Sequence, residues 1–73
     1  MDGIVIGVRR HGVKVQMNTN LTPIGDFNVV SQGNSSIIAV VTLRKVVKPT
    51  VCLMDWVSSP TAPVRIGDRI VSV

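Results

Sequence analysis

One phrase occurs twice in this chain. The first copy is Ile24-Gly25-Asp26-Phe27-Asn28-Val29-Val30, and the second is Ile66-Gly67-Asp68-Arg69-Ile70-Val71-Ser72-Val73. Each copy is an apolar residue, then Gly-Asp, then a β-like run. The two Gly-Asp pairs stand 42 residues apart in a 73-residue chain, so they divide it into comparable halves. Such a repeat constrains the chain to two related units. A physical role for the phrase follows from its residues. The chain must turn sharply to enter a strand, and Gly accepts backbone angles that other residues resist. Asp can accept hydrogen bonds from turn N–H groups and act as a local cap. The preceding Ile is expected to drop into the core and anchor the turn.

The remaining segments supply the strands. Ile4-Val5-Ile6-Gly7-Val8 is rich in β-branched residues and reads as a strand. Arg9-Arg10-His11-Gly12 follows as a polar turn, with Gly12 expected to supply a positive φ. Val13-Lys14-Val15-Gln16-Met17 alternates strictly, which places Val13, Val15 and Met17 inward and Lys14 and Gln16 outward. A turn-rich stretch, Asn18 to Pro23, leads to the first Gly-Asp pair. Phe27 to Val30 forms a third strand, and Ser31-Gln32-Gly33-Asn34-Ser35-Ser36 is a loop.

Ile37 to Val47 opens the second half. Seven of its eleven residues are Ile, Val or Thr and no amphipathic helical stripe appears, so it reads as one long strand bent near Thr42. Lys48-Pro49 breaks it. Thr50 to Val57 is another apolar strand, and Ser58-Ser59-Pro60-Thr61-Ala62-Pro63 is a loop pinned by two prolines. The second phrase closes the chain. The expected fold is all-β, a small six-stranded pseudo-symmetric β-barrel built from two strand-strand-Gly-Asp-strand units. It is one domain over residues 1–73, with half-repeats at about 3–33 and 37–73. Closure removes the sheet edges that would otherwise promote aggregation.

With Gly3-Ile4-Val5, Gly25-Asp26, Ile38-Ala39-Val40 and Gly67-Asp68 in place, the sequence resembles the Gly-Asp-box small β-barrels. It is similar to the C-terminal barrel of bacterial flagellar assembly protein T and to the second, β-barrel domain of translation elongation factors. The first resemblance implies a non-enzymatic part of a large ring assembly. The second implies binding of tRNA or protein.

Composition bears on function. Apolar residues make up 45% of the chain and charged residues 16%, against about 25% charged in ordinary domains. A domain this small has little interior, so some apolar side chains are expected to face a partner. Eight Lys and Arg oppose four acidic residues, for a net charge of +4. That excess suits an anionic partner as well as solubility. No run of residues approaches the length of a membrane helix, and the N-terminus does not resemble a secretory signal. The chain is therefore expected to stay in the cytoplasm or to be packaged in a particle such as a virion.

No cofactor or metal motif is present. Asp26 and Asp68 could serve as a catalytic pair only if they met in a cleft, and pseudo-twofold symmetry is expected to set them at opposite ends. His11 is the only His and Cys52 the only Cys. They are too few for a structural zinc site, and Cys52 lies in an apolar strand where a buried, inert thiol is expected. A Cys-His nucleophilic pair would need His11 to lie against that strand.

The candidate surfaces are two. Trp56, Val57, Pro60 and Pro63 form the first, with Trp56 either plugging the core or anchoring a partner interface. The second is basic: Arg9, Arg10 and Lys14 around the first hairpin tip, then Arg44, Lys45 and Lys48. Arg65 and Arg69 form a further cluster. The leading expectation is a non-enzymatic structural or assembly subunit that packs into a homo- or hetero-oligomeric particle, such as a virion shell, a tail or a ring-like machine. The alternative is a nucleic-acid-binding module that uses the basic residues for phosphate contacts.

Overall fold

A computed structural model describes residues 1–73. It contains six strands and no helix: β1 (Gly3–Arg9), β2 (Gly12–Met17), β3 (Asp26–Val30), β4 (Ile37–Lys48), β5 (Val51–Trp56) and β6 (Arg69–Ser72). They form a closed antiparallel barrel in the order β1-β2-β5-β4-β3-β6. Exchanging β1 with β4, β2 with β5 and β3 with β6 leaves every neighbour in that ring unchanged. The pseudo-twofold axis expected from the repeat therefore passes through the β2·β5 and β3·β6 pairings. These two pairings lie on opposite sides of the barrel.

The interior is filled by period-2 alternation. Val13, Val15 and Met17 of β2 point inward as the pattern requires, and Val5, Phe27, Val29, Ile38, Ala39, Val41, Cys52, Met54 and Ile70 complete the core. Leu43, Trp56 and Val64 pack against its rim. β4 is long enough to serve two partners. Its first half pairs with β3 and its second half with β5. The bend falls beyond Thr42, where Arg44 and then Val47 are bulged out of the β5 register. Two further bulges sit at Ile6 in β1 and at Ile38 in β4, opposite β3. Such bulges bend the strand and increase its twist, which lets a short sheet curl shut.

Gly12 has a different role from the expected one. Only Gly25 (φ 84°) and Gly67 (φ 99°) are left-handed among the glycines. Gly12 instead lies against β5, and a Cβ there would overlap the Met54 carbonyl oxygen. The residue is small because two backbones meet, not because the chain turns.

The two corners share their glycine geometry and differ elsewhere. Asp68 is 2% exposed. Its Oδ2 accepts from the Arg65 N–H at 3.0 Å and its Oδ1 from the Gln32 N–H at 3.2 Å. The carboxylate therefore caps its own turn and also ties it to the β3–β4 loop. Asp26 is exposed and opens β3, so the expected cap exists at one corner only. The expected burial of the preceding isoleucines is overturned: Ile24 is 88% exposed and Ile66 65%. A left-handed glycine reverses the chain just after each isoleucine, and the interior is already filled by strand residues. The corner isoleucines are left outside.

The ring closes at its thinnest pairing. β1 and β6 share only Gly3↔Ile70 and Ile4↔Arg69. Backbone bonds from Asp2 N to Ile70 O, Val5 N to Asp68 O and Gly67 N to Val5 O, each 2.8 Å, extend the seam. The Asp2 carboxylate adds to it by accepting from Ser72 N–H (2.7 Å) and Ser72 Oγ–H (2.9 Å). These bonds, the backbone one foremost, hold the Asp2 carboxyl below its ordinary value of 3.8.

Three stability measurements test this account. In urea unfolding, Gly12→Ala should cost about 3 kcal/mol or more, because β2 and β5 must separate. Gly25→Ala has open space around it and should cost only the left-handed penalty of about 1–2 kcal/mol. Equal losses would contradict the close approach. Asp68→Ala should cost about 1–3 kcal/mol by stranding two N–H donors, whereas Asp26→Ala should stay within about 0.5 kcal/mol. A carboxyl depressed by folding stabilises the barrel at neutral pH and loses that effect as pH falls below 3.8 through the lower folded value. Asp2→Asn should thus narrow the difference in melting temperature between neutral pH and pH below 3.8. An unchanged difference would remove the Asp2–Ser72 pair from the closure.

Candidate basic wall and its terminal cleft

The antiparallel pairing of β2 with β5 is the step that assembles a surface. Its register runs from Gly12↔Asp55 through Lys14↔Leu53 to Gln16↔Val51. Residues directly opposite in a ladder share a face. Because Val13, Val15, Cys52 and Met54 point inward, their neighbours Lys14, Gln16, Val51, Leu53 and Asp55 point outward. Following the register across β1 and β4 gives three exterior rows: Arg9, Gly12, Asp55, Thr42; then Gly7, Lys14, Leu53, Lys45; then Ile4, Gln16, Val51, Lys48. The first row carries Arg9, the second Lys14 and Lys45 and the third Lys48, and apolar Leu53 or Val51 lies in the middle of the last two. The bulged Arg44 projects beside the upper rows.

The hairpin tip closes one end of this wall. Trp56 is half-buried against the core, and its Nε1–H donates to the Arg10 carbonyl at 3.1 Å. Its backbone N–H donates to the His11 carbonyl at 2.9 Å. The ring thus plugs the barrel rim and pins the Arg10-His11 tip over the end of β5. Beneath the tip is a cleft of about 260 Å³ whose lining includes Arg9, Arg10, His11, Arg44 and Asp55. A shallower hollow continues from it past His11, Arg44 and Asp55 to the Trp56 indole. Within the cleft Arg44 Nη1 stands 3.9 Å from Asp55 Oδ1, with the Arg44 side chain mostly in solvent and that of Asp55 partly so. That pair contributes little to stability, and it leaves the guanidinium available.

All six cations of the candidate basic set, Arg9, Arg10, Lys14, Arg44, Lys45 and Lys48, belong to this wall or its cleft. The sequence shows them as two separate groups; the fold makes them one surface. Asp55 is the only acid there, so the wall carries +5. Arg65 and Arg69, set against Asp2, Asp26 and Asp68, leave −1 for the rest of the molecule, which accounts for the net +4. Arg69 is engaged elsewhere, donating from Nη2 to Ser35 Oγ at 3.0 Å. Leu53, Val51 and Asp55 are wall residues that strand-by-strand reading does not single out. Their alternation in β5 was visible, but their neighbours depend on a pairing between the two halves.

The other candidate positions are dispersed. Val57 is exposed, although its N–H is tied to the Val40 carbonyl at 2.8 Å. Thr61 N–H donates to the Ile38 carbonyl at 2.8 Å, so the loop with half-buried Pro60 and exposed Pro63 is laid along β4 as a strap. Asp26 and Asp68 flank opposite ends of the β3·β6 pairing, too far separated in the ladder for a shared cleft. Cys52 is buried in the core, where desolvation pushes its thiol upward. His11 lies at the tip, four residues before Val15, the β2 partner of Cys52, and no three His, Cys or acidic side chains come together. No helix is long and apolar enough to cross a membrane. The chain matches no protein-family model, no curated protein and no solved structure.

Proposed function

We propose that this barrel is a non-enzymatic assembly subunit that packs through its exposed corners into a larger particle. The observation that carries the reading is the display of Ile24 and Ile66. They occupy equivalent positions before the two left-handed glycines and are 88% and 65% exposed. Leu21, Val57 and Val73, each more than half exposed, add to the apolar surface outside the core. A soluble chain with so few charges gains from covering such side chains. The corners sit at opposite ends of the β3·β6 pairing, so one subunit can offer an apolar contact in two directions. Two-ended contacts of this kind build rings when the rotation closes and filaments when it does not. Virion shells, tails and other ring-like machines are the settings such a subunit fits.

Sedimentation velocity over a range of concentrations tests the self-packing form. The wild-type chain should associate, and Ile24→Lys with Ile66→Lys should dissociate it. Burying one isoleucine is worth about 1.5–3 kcal/mol, so each change should weaken association by about tenfold to hundredfold. A wild-type chain that stays monomeric at every concentration overturns self-packing through the corners.

A further inference from the structure

We propose that the basic wall binds a single nucleic-acid strand, with the phosphodiester backbone crossing the exterior of β1, β2, β5 and β4 and one base entering the cleft beside Trp56. This site is independent of the corner contacts. Charge supplies the first argument. Five positive charges in excess are concentrated on one face of a 73-residue barrel, and the remainder is close to neutral. Phosphate contacts need positioned cations and little else.

Spacing supplies the second. Successive rows lie two residues apart along β5, which is about 6.6 Å at the usual rise per residue. Lys48, Lys45 and the bulged Arg44 thereby follow one another along β4 where an extended backbone can track them, and Arg9 faces them from β1, about 14 Å away across three strand spacings. Leu53, between Lys14 and Lys45, and Val51, between Gln16 and Lys48, give sugars and bases an apolar floor. The cleft supplies the third. Arg9, Arg10 and Arg44 converge there, and their planar forks suit phosphate. The neighbouring indole is the chain's only tryptophan and offers a stacking face.

Asp55 decides between two kinds of anionic partner. As the only carboxylate lining the cleft, Asp55 opposes an acidic peptide, whose side chains offer only carboxylates. A nucleobase offers N–H donors at its edge, which a carboxylate accepts. A base inside a duplex keeps those edges paired and stacked, so the cleft selects a single strand.

Trp56 makes the test direct, since it and Phe27 are the only aromatic residues. Its fluorescence should be quenched when a mixed-sequence single-stranded oligonucleotide is titrated into the full chain. If about five phosphates are contacted, the affinity should fall about 100-fold between 50 and 200 mM salt. Lys14→Gln with Lys45→Gln, both on the outer face, should remove two contacts and make log affinity against log salt shallower by about 1.4. Circular dichroism should confirm that the variant keeps its strands. Asp55→Ala should leave the salt slope unchanged while reducing discrimination among homopolymer strands. The proposal is overturned by any of four results: no binding at low salt, an unaltered slope in the lysine variant, tighter binding of duplex than of single strand, or equal binding of poly-aspartate. The last result would assign the wall to an acidic protein.

Discussion

The antiparallel contact between β2 and β5 is the constraint on which the rest depends. It joins two hairpins that are otherwise local structures, and at its Gly12 end the two backbones approach too closely to admit a side chain. An isolated two-stranded hairpin is marginal in water. Pairing the second strand of each hairpin buries Val13, Val15, Cys52 and Met54 at once. It also points the Arg10-His11 and Pro49-Thr50 tips in opposite directions. The β3·β6 pairing performs the same operation on the far side, and the short β1·β6 seam then closes on two paired positions, the backbone bonds that flank them and the Asp2–Ser72 bonds.

The strands were legible because their signals are local. β-Branched runs, the period-2 pattern of β2 and the loop compositions place all six elements, and the repeated glycines mark both left-handed corners. Failures fall where the deciding contact comes from elsewhere in the chain. Gly12 looks like a turn residue because it follows Arg-Arg-His, and its actual reason lies some forty residues away at Met54. Asp26 and Asp68 occupy identical local phrases, yet only Asp68 meets the Gln32 N–H of a distant loop. Ile24 and Ile66 resemble core residues by composition, but whether an apolar side chain is buried depends on whether space remains, and twelve other side chains had already filled the interior.

The basic surface was half legible for the same reason. Each cation could be placed at a tip or on an outward strand position. Their union into one face requires the β2·β5 register, a pairing across two halves with no turn between them to announce it. A one-residue slip in that register would turn Lys14 inward and Val13 outward. The core residues of β2 and β5 thus fix the electrostatics of the exterior. Concentrating like charges on one wall costs stability through self-repulsion. The hydrophobic interior must offset that cost, and an anion seated on the wall would relieve it.

The two proposed surfaces are geometrically compatible. The corners that display Ile24 and Ile66 flank the β3·β6 pairing, and the basic wall is centred on β2·β5 across the barrel. A subunit that packs through its corners would therefore leave its cationic face uncovered. In a closed ring, rotation about the symmetry axis would repeat that face on every copy. Weak sites carried on a rigid array act together, because binding at one raises the effective concentration at the next. Each wall would gain affinity from its neighbours without any new contact. Assembly would then add to nucleic-acid binding and not compete with it.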